Sequence, residues 1–175
     1  MSKKIIAISG THGTGKTTVA YSLCSIMKKK GHNVVVMDEL AREAPFDINR
    51  AAGDKTQIWL CCKQITKELE YSEHYEYIIT DRSVLDAYAY GLTLTKNDWI
   101  FKHLENYLVA HIKTYYKSLF LLDPSAFTFN VEDGIRDTDP NFRLMVHNTL
   151  EDLFKKHNIE YHHTFNTVDV FLNFI

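Results

Sequence analysis

Eight consecutive residues, Gly10-Thr11-His12-Gly13-Thr14-Gly15-Lys16-Thr17, match the pattern GxxxxGK(S/T) at every fixed position. Glycine admits backbone conformations closed to other residues, so successive N–H groups in such a loop can turn inward around an anionic phosphate. The helix that must follow adds the positive end of its dipole at the same point. Lys16 is expected to reach the β- and γ-phosphates of a nucleotide, and Thr17 to place its hydroxyl on Mg²⁺. Thr18 continues the binding segment into the helix. For His12 two readings stay open: contact with a phosphate or an acceptor, or a solvent-facing loop residue.

Two acidic clusters stand where further chemistry would occur. Asp38-Glu39 follows the apolar run Val34 to Met37, with Arg42 three residues after Glu39. Asp81-Arg82-Ser83 follows Tyr77 to Thr80, with Asp86 and Tyr90 beyond it. A carboxylate at a strand end beside a phosphate loop is placed to support Mg²⁺, the role expected of Asp81. Phosphoryl transfer to a hydroxyl also benefits from a carboxylate that orients the hydroxyl and takes its proton late. Asp38 and Glu39 are both candidates for this.

These groups need a scaffold that gathers strand ends. Lys4 to Ser9 is an apolar run ending at glycine, the pattern of a strand buried on both faces. Val19, Ala20, Leu23, Cys24 and Met27 then recur at helical spacing up to Lys28-Lys29-Lys30, and Gly31 can close that helix. Val34 to Met37 reads as a second buried strand. Glu39 to Gly53 reads mostly as loop, with a helical turn around Leu40 to Glu43. Ile58, Cys61, Cys62, Ile65 and Leu69 share one face of a helix from Lys55 to Tyr71. A third strand ends at Asp81 and a short helix follows. A longer helix runs from Asn97 to about Tyr116, before a fourth strand over Ser118 to Leu122. Pro124 to Thr138 reads as a loop or lid. Asp139-Pro140 is a good N-cap and N1 pair for a helix that buries Phe142, Met145, Val146, Thr149, Leu150, Leu153 and Phe154. Ile159 to Thr164 reads as a fifth strand, and a short apolar helix ends the chain. Strands alternating with helices imply an α/β domain with a mainly parallel sheet, in which ligands lie beyond the carboxyl ends of the strands.

Composition bounds these readings. A chain of 175 residues, 45% hydrophobic, suits one domain with one core and buries roughly 70% of its unfolded surface, so neither a disulfide nor a structural metal is needed. Cys24, Cys61 and Cys62 have no redox or zinc-ligand spacing and read as reduced, mostly buried thiols. The net charge of -2 excludes a broad basic surface for nucleic acid and leaves a local groove open. Of the 20 basic side chains only five are arginines, and four of these (Arg42, Arg82, Arg136 and Arg143) fall at motif positions. The planar fork of arginine suits bidentate phosphate recognition. No apolar run approaches the ~20 residues that span a bilayer, and no signal-peptide core opens the chain, so a soluble, cytoplasmic protein without a membrane partner is expected.

Gly10 to Thr17, Asp38 to Glu43, the Gln64 and Glu68 pair, Asp81 to Asp86 with Tyr90-Gly91, and Asp133-Gly134-Ile135-Arg136 together resemble the small P-loop kinases. The nearest are nicotinamide riboside kinase-like domains, with thymidylate and deoxynucleoside kinases further off. The resemblance runs from the first strand to about Arg143. It implies a P-loop three-layer α/β/α sandwich with a five-stranded, mainly parallel sheet, as one domain over residues 1–175 with a lid around 124–143. It implies ATP and Mg²⁺ as cofactors, with Lys16, Glu39, Asp81 and Arg136 as catalytic residues. ATP would be held by Gly10, Thr11, His12, Gly13, Thr14, Gly15, Lys16, Thr17 and Thr18, with Arg136 and Arg143 closing from the lid. Thr17 and Asp81 would hold the metal. Asp38, Glu39, Arg42, Arg82 and Asp86 would form the acceptor side.

The spacing of Glu39 and Arg42 also looks like the active-site pair of polynucleotide 5′-kinases. Ser83 after Asp81-Arg82 is closer to the deoxynucleoside kinase form than to the aromatic residue or histidine usual in thymidylate kinases. The leading expectation is an ATP- and Mg²⁺-dependent kinase acting on a hydroxyl of a nucleoside, nucleotide or related small molecule. A second keeps the chemistry and moves the hydroxyl onto DNA or RNA, such as 5-hydroxymethyluridine in phage DNA. A third is a nucleotide-binding regulatory ATPase. A homodimer is left open.

Overall fold

The computed structural model describes residues 3–48, 52–94, 98–125, 139–165 and 171, with side chains for all of these except 98–102. β1 (Ile5–Ser9) is buried at every position, because helices cover both of its faces. Ile5 and Ala7 pack into one layer and Ile6 and Ile8 into the other, as the period of a strand demands.

From β1 the chain passes through α1 (Lys16–Lys29) to β2 (Val34–Met37), a single 3-10 turn (Leu40–Glu43) and α2 (Asp54–Ser72). It continues through β3 (Tyr77–Asp81), α3 (Val84–Leu94), α4 (Asp98–Tyr115) and β4 (Tyr116–Leu122) to α5 (Pro140–Lys156) and β5 (His162–Thr164). The five strands form one sheet in the order β2-β3-β1-β4-β5, and every neighbouring pair is parallel. α1 packs Val19, Leu23 and Met27 on one face, where Phe171 also stacks on Phe120 with ring centroids 4.3 Å apart. α2 to α5 cover the other face. The expected three-layer α/β/α sandwich is the observed one. No helix among the described residues is long and apolar enough to cross a membrane.

Three local expectations change. The fifth strand begins at His162 instead of Ile159, because residues 157–159 close α5: Asn158 takes a left-handed φ of 49°, and the Ile159 and Asn158 amides return to the carbonyls of Phe154 and Lys155. The buried face of α2 is Thr56, Gln57, Cys61, Gln64, Ile65 and Glu68, whereas Cys62 and Leu69 are exposed. Polar side chains displace apolar ones there because that face looks into a cavity and a buried hydrogen-bond network. On α5, Met145 is exposed and His147 is buried. Residues 126–138, within the expected lid, and the residues of the expected terminal helix other than Phe171 lie outside the described residues.

Candidate functional site

The carboxyl ends of β1, β3 and β2 converge on a cavity of about 310 Å³. Its floor is the phosphate loop. Gly10 has φ 141°, and a Cβ there would meet the Leu122 carbonyl oxygen at 3.3 Å. Gly15, the N-cap of α1, has φ 85°. Both positions therefore require glycine, which lets the loop turn directly from a buried strand into a helix.

Lys16 is buried within the loop, donating from Nζ to the Thr11 carbonyl at 2.6 Å and to Thr14 Oγ1 at 3.4 Å. Burial, reinforced by the charge of Arg82, pushes its ammonium down to about 8, although Asp81, Glu39 and Asp86 pull the other way. Thr18 and His12 also line the cavity. His12 is tied back to α3, with its amide donating to Tyr90 Oη at 3.2 Å and its Nδ1 2.9 Å from the same oxygen.

Thr17 Oγ1 donates to Asp81 Oδ2 at 2.5 Å, and Asp81 Oδ1 is enclosed without a hydrogen-bond partner. Burial raises the Asp81 carboxyl, with Lys16 opposing that shift. A hydroxyl and a carboxylate oxygen side by side, one oxygen unsatisfied, fit a hard, oxygen-loving cation such as Mg²⁺.

Asp86 lies beneath this floor, fully buried and away from the cavity lining. Its carboxylate accepts from Ser9 Oγ (2.6 Å), the Gly10 amide (2.9 Å), the Ser83 amide (2.7 Å) and Ser83 Oγ (2.7 Å). The bond to the Ser83 amide is the returning half of a capping box at the start of α3. Asp86, expected on the acceptor side, does not line the cavity: it joins the ends of β1 and β3, and its Oδ1 stands 3.9 Å from Arg82 Nη1.

Glu39, Arg82 and Arg42 do meet. Arg82 donates from Nε and Nη2 to Glu39 Oε1 at 2.8 and 2.5 Å, while Arg42 Nε stands 4.0 Å from Glu39 Oε2. The Arg82 guanidinium holds the Glu39 carboxyl at about 2. Its Cζ lies 5.3 Å from the centre of the Tyr90 ring, and its Nη1 is enclosed without a hydrogen-bond partner. Arg82 has φ 102°, a conformation costing a non-glycine residue about 1–3 kcal/mol, so its surroundings must hold it. Asp38 instead accepts from the exposed Tyr21 hydroxyl at 2.6 Å.

The restraint on Arg82 comes from a network centred on Glu68, which is fully buried. Glu68 accepts from Gln64 Nε2 (2.9 Å) and Tyr116 Oη (2.9 Å), and its Oε2 lies 2.7 Å from His111 Nε2. Gln64 Nε2 also donates to the Arg82 carbonyl at 3.0 Å, and the Val84 amide donates to Tyr116 Oη at 3.1 Å. Both residues flanking Ser83 are thus clamped from α2 and β4. The far wall is apolar, with Leu40, Leu60 and Ala87, and also carries Gln57, whose Oε1 is buried without a partner. Gln57 was not among the residues singled out from sequence. Its signal was available as a polar pair, Thr56-Gln57, next to an apolar helical stripe.

Arg143 lies against the outer side of the loop: its guanidinium would be 3.7 Å from a Cβ on Gly13, and Nη2 donates to the Pro124 carbonyl at 3.0 Å. Arg136 lies outside the described residues.

A family model described as an AAA domain matches residues 5–169. The chain belongs to that family. A probable thymidylate kinase of Thermoplasma volcanium is 36% identical over 95 residues, covering 50% of this chain and 46% of that protein. The chain therefore matches about half the length of this curated relative. Two solved structures share the fold at low identity. One is a thymidylate kinase from Ehrlichia chaffeensis (TM-score 0.69, 16% identity, 99% of this chain and 98% of that one). The other is a deoxyadenosine kinase from M. mycoides with bound dATP (TM-score 0.58, 17% identity, 97% of each chain). These neighbours agree with the resemblance to small P-loop kinases drawn from the motifs.

Proposed function

We propose that this AAA-domain protein is an ATP- and Mg²⁺-dependent kinase that transfers the γ-phosphoryl group to a hydroxyl of a nucleoside or nucleotide. The observation that carries this reading is the joining of two half-sites across one cavity. Lys16, Thr17 and Asp81 stand on one side, and Glu39, Arg82 and Gln57 on the other.

In this reading the loop amides and Lys16 hold the transferring phosphate, and Arg143 braces the loop from outside. Mg²⁺ held by Thr17 and Asp81 would offset charge on the phosphate oxygens. Glu39 accepts a hydrogen bond from the acceptor hydroxyl and aims its oxygen at the γ-phosphorus. A new P–O bond forms as the bond to the leaving ADP breaks, and the hydroxyl proton moves late along its hydrogen bond to Glu39 and is released to water. A carboxylate held at about 2 is a weak proton acceptor, so Glu39 acts chiefly by orientation, while Arg82 fixes it and adds positive charge. The apolar wall and the unpartnered Gln57 carbonyl suit a flat heterocycle with a hydrogen-bond donor on its edge. A cavity of about 310 Å³ lies at the small end of the range for small-molecule sites, which favours a free acceptor over a polymer.

The test is transfer of labelled γ-phosphate from ATP to thymidine, deoxyadenosine, their monophosphates, and plain and hydroxymethylated DNA. Label in a small acceptor is the expected result. Label confined to DNA would move the acceptor hydroxyl onto the polymer, and an ATPase rate indifferent to every acceptor would make the chain a regulatory ATPase.

A further inference from the structure

A second cluster of polar side chains lies outside the cavity, where α5 crosses the edge of the sheet. His147 and Glu151 stand one turn apart on α5, and His163 sits on β5 opposite Leu121 of β4. One ligand-capable atom from each of the three residues lies within 4.8 Å of those of the other two. The two imidazole rings are 5.7 Å apart, centroid to centroid, and inclined at 69°.

His147 is only 6% exposed, yet its Nδ1 is enclosed and has no hydrogen-bond partner. An imidazole nitrogen left in that condition is costly unless something pairs with it. Glu151 supplies a negative oxygen beside the two rings. Asp123 Oδ2 lies 3.7 Å from His163 Nε2, so a small ring rotation would bring the carboxylate within hydrogen-bond reach to orient a ligating ring.

We propose that His147, Glu151 and His163 form a binding site for a divalent transition-metal ion of the zinc class. Two imidazoles and one carboxylate are a zinc ligand set that leaves a fourth, water-filled position. Ligands around a tetrahedral zinc stand about 3.4 Å apart, so the three side chains must draw together. Glu151 and the exposed His163 can do so by rotation about their side-chain bonds. In return Glu151 loosens its bonds to Lys155 Nζ (3.0 Å) or Tyr161 Oη (3.3 Å). The nitrogen-rich set separates this site from the all-oxygen pair of Thr17 and Asp81, which suits Mg²⁺.

The placement gives the ion a mechanical role. His147 is one turn after Arg143, whose guanidinium packs on the phosphate loop and bonds the Pro124 carbonyl. The Asp123 amide bonds the Thr164 carbonyl at 3.0 Å. A metal at the cluster would fasten α5 to the β4–β5 edge at the junction that sets Arg143 against the loop. This inference is independent of the reaction assigned to the cavity.

The test uses the full chain, stripped of metal with a chelator, with Cys62→Ser included so that the exposed thiol cannot supply a ligand. Titration with Zn²⁺ by calorimetry should show one ion bound per chain, with a rise in Tm, and excess Mg²⁺ should not compete. Co²⁺ in place of Zn²⁺ should give the visible absorption of a four-coordinate site. His163→Ala, at an exposed position, should lower zinc affinity by well over tenfold, and Asp123→Asn by about tenfold. Absence of stoichiometric zinc binding would overturn the proposal. Unchanged affinity in both His163→Ala and Glu151→Gln would also overturn it.

Discussion

The two sides of the cavity are built in opposite ways. On the proposed phosphate side the candidate binding groups are contiguous, from Gly10 to Thr18, and much of the surface is backbone. On the acceptor side Glu39, Gln57 and Arg82 come from three separate segments, and side chains make the surface. Each side rests on one fully buried carboxylate. Asp86 ties the Gly10 amide and Ser9 to Ser83. Glu68 gathers Gln64, His111 and Tyr116 beneath Arg82. A backbone cradle can be specified by local sequence because glycine sets its geometry. A side-chain surface exists only once α2, β3 and the 3-10 turn have packed.

The comparison can be broken most severely at Lys16. Lys16→Ala should lower phosphoryl transfer by about 10³-fold or more, since it removes a buried cation aimed at developing charge; retention of transfer would detach the loop from the chemistry. Asp86→Ala leaves four donors without their acceptor and should cost about 3–5 kcal/mol in urea unfolding, with ATP binding weakened in proportion. If only acceptor binding suffered, Asp86 would belong to the other side.

Glu39→Gln preserves shape but weakens the tie to Arg82, and should lower kcat by about 10–100-fold with ATP affinity little changed. In the unaltered protein the Arg82 contact stabilises the fold above the ordinary glutamate range of 4.5, and this contribution fades as pH falls toward about 2. Acid unfolding of Glu39→Gln should therefore be less steep over that interval. Glu68→Gln should have a smaller effect, about 1–3 kcal/mol of stability and a several-fold rise in acceptor KM, with the KM for ATP unchanged.

The smallest effect is a proton. Because Lys16 sits at about 8 when folded and 10.5 when unfolded, its cost to folding is present below about 8 and relieved as pH rises through that interval. A nucleotide phosphate should restore its proton, so ATP binding at pH 8–9 should take up a fraction of a proton. Calorimetry in buffers of different ionisation enthalpy measures this.

Much of this was legible along the chain. The run from Lys4 to Thr17 carries both a strand buried on two faces and the loop after it, because both signals are local. The acidic residues after β2 and β3 could be read as strand-end groups for the same reason. Their partners could not be read. Nothing in the spacing separates Asp38, which bonds an exposed tyrosine, from Glu39, which meets Arg82 across 43 positions. Asp86 is expected beside its motif neighbours on the acceptor side; the turn into α3 places it under the loop, 3.9 Å from Arg82 Nη1.

The sequence by itself determined that a GxxxxGK(S/T) loop stands between a buried strand and a helix, and that the sheet is mainly parallel. Glycine conformations, strand periodicity and helical caps are properties of neighbouring residues, so they survive being read in one dimension. Tertiary structure alone decided that Glu39 is held ionised, that Arg82 is held in a strained conformation by Glu68 and Gln64, and that His147, Glu151 and His163 share one corner. Those outcomes depend on burial and on charges brought close by packing, and neither quantity exists until the sheet and its helices have closed around them.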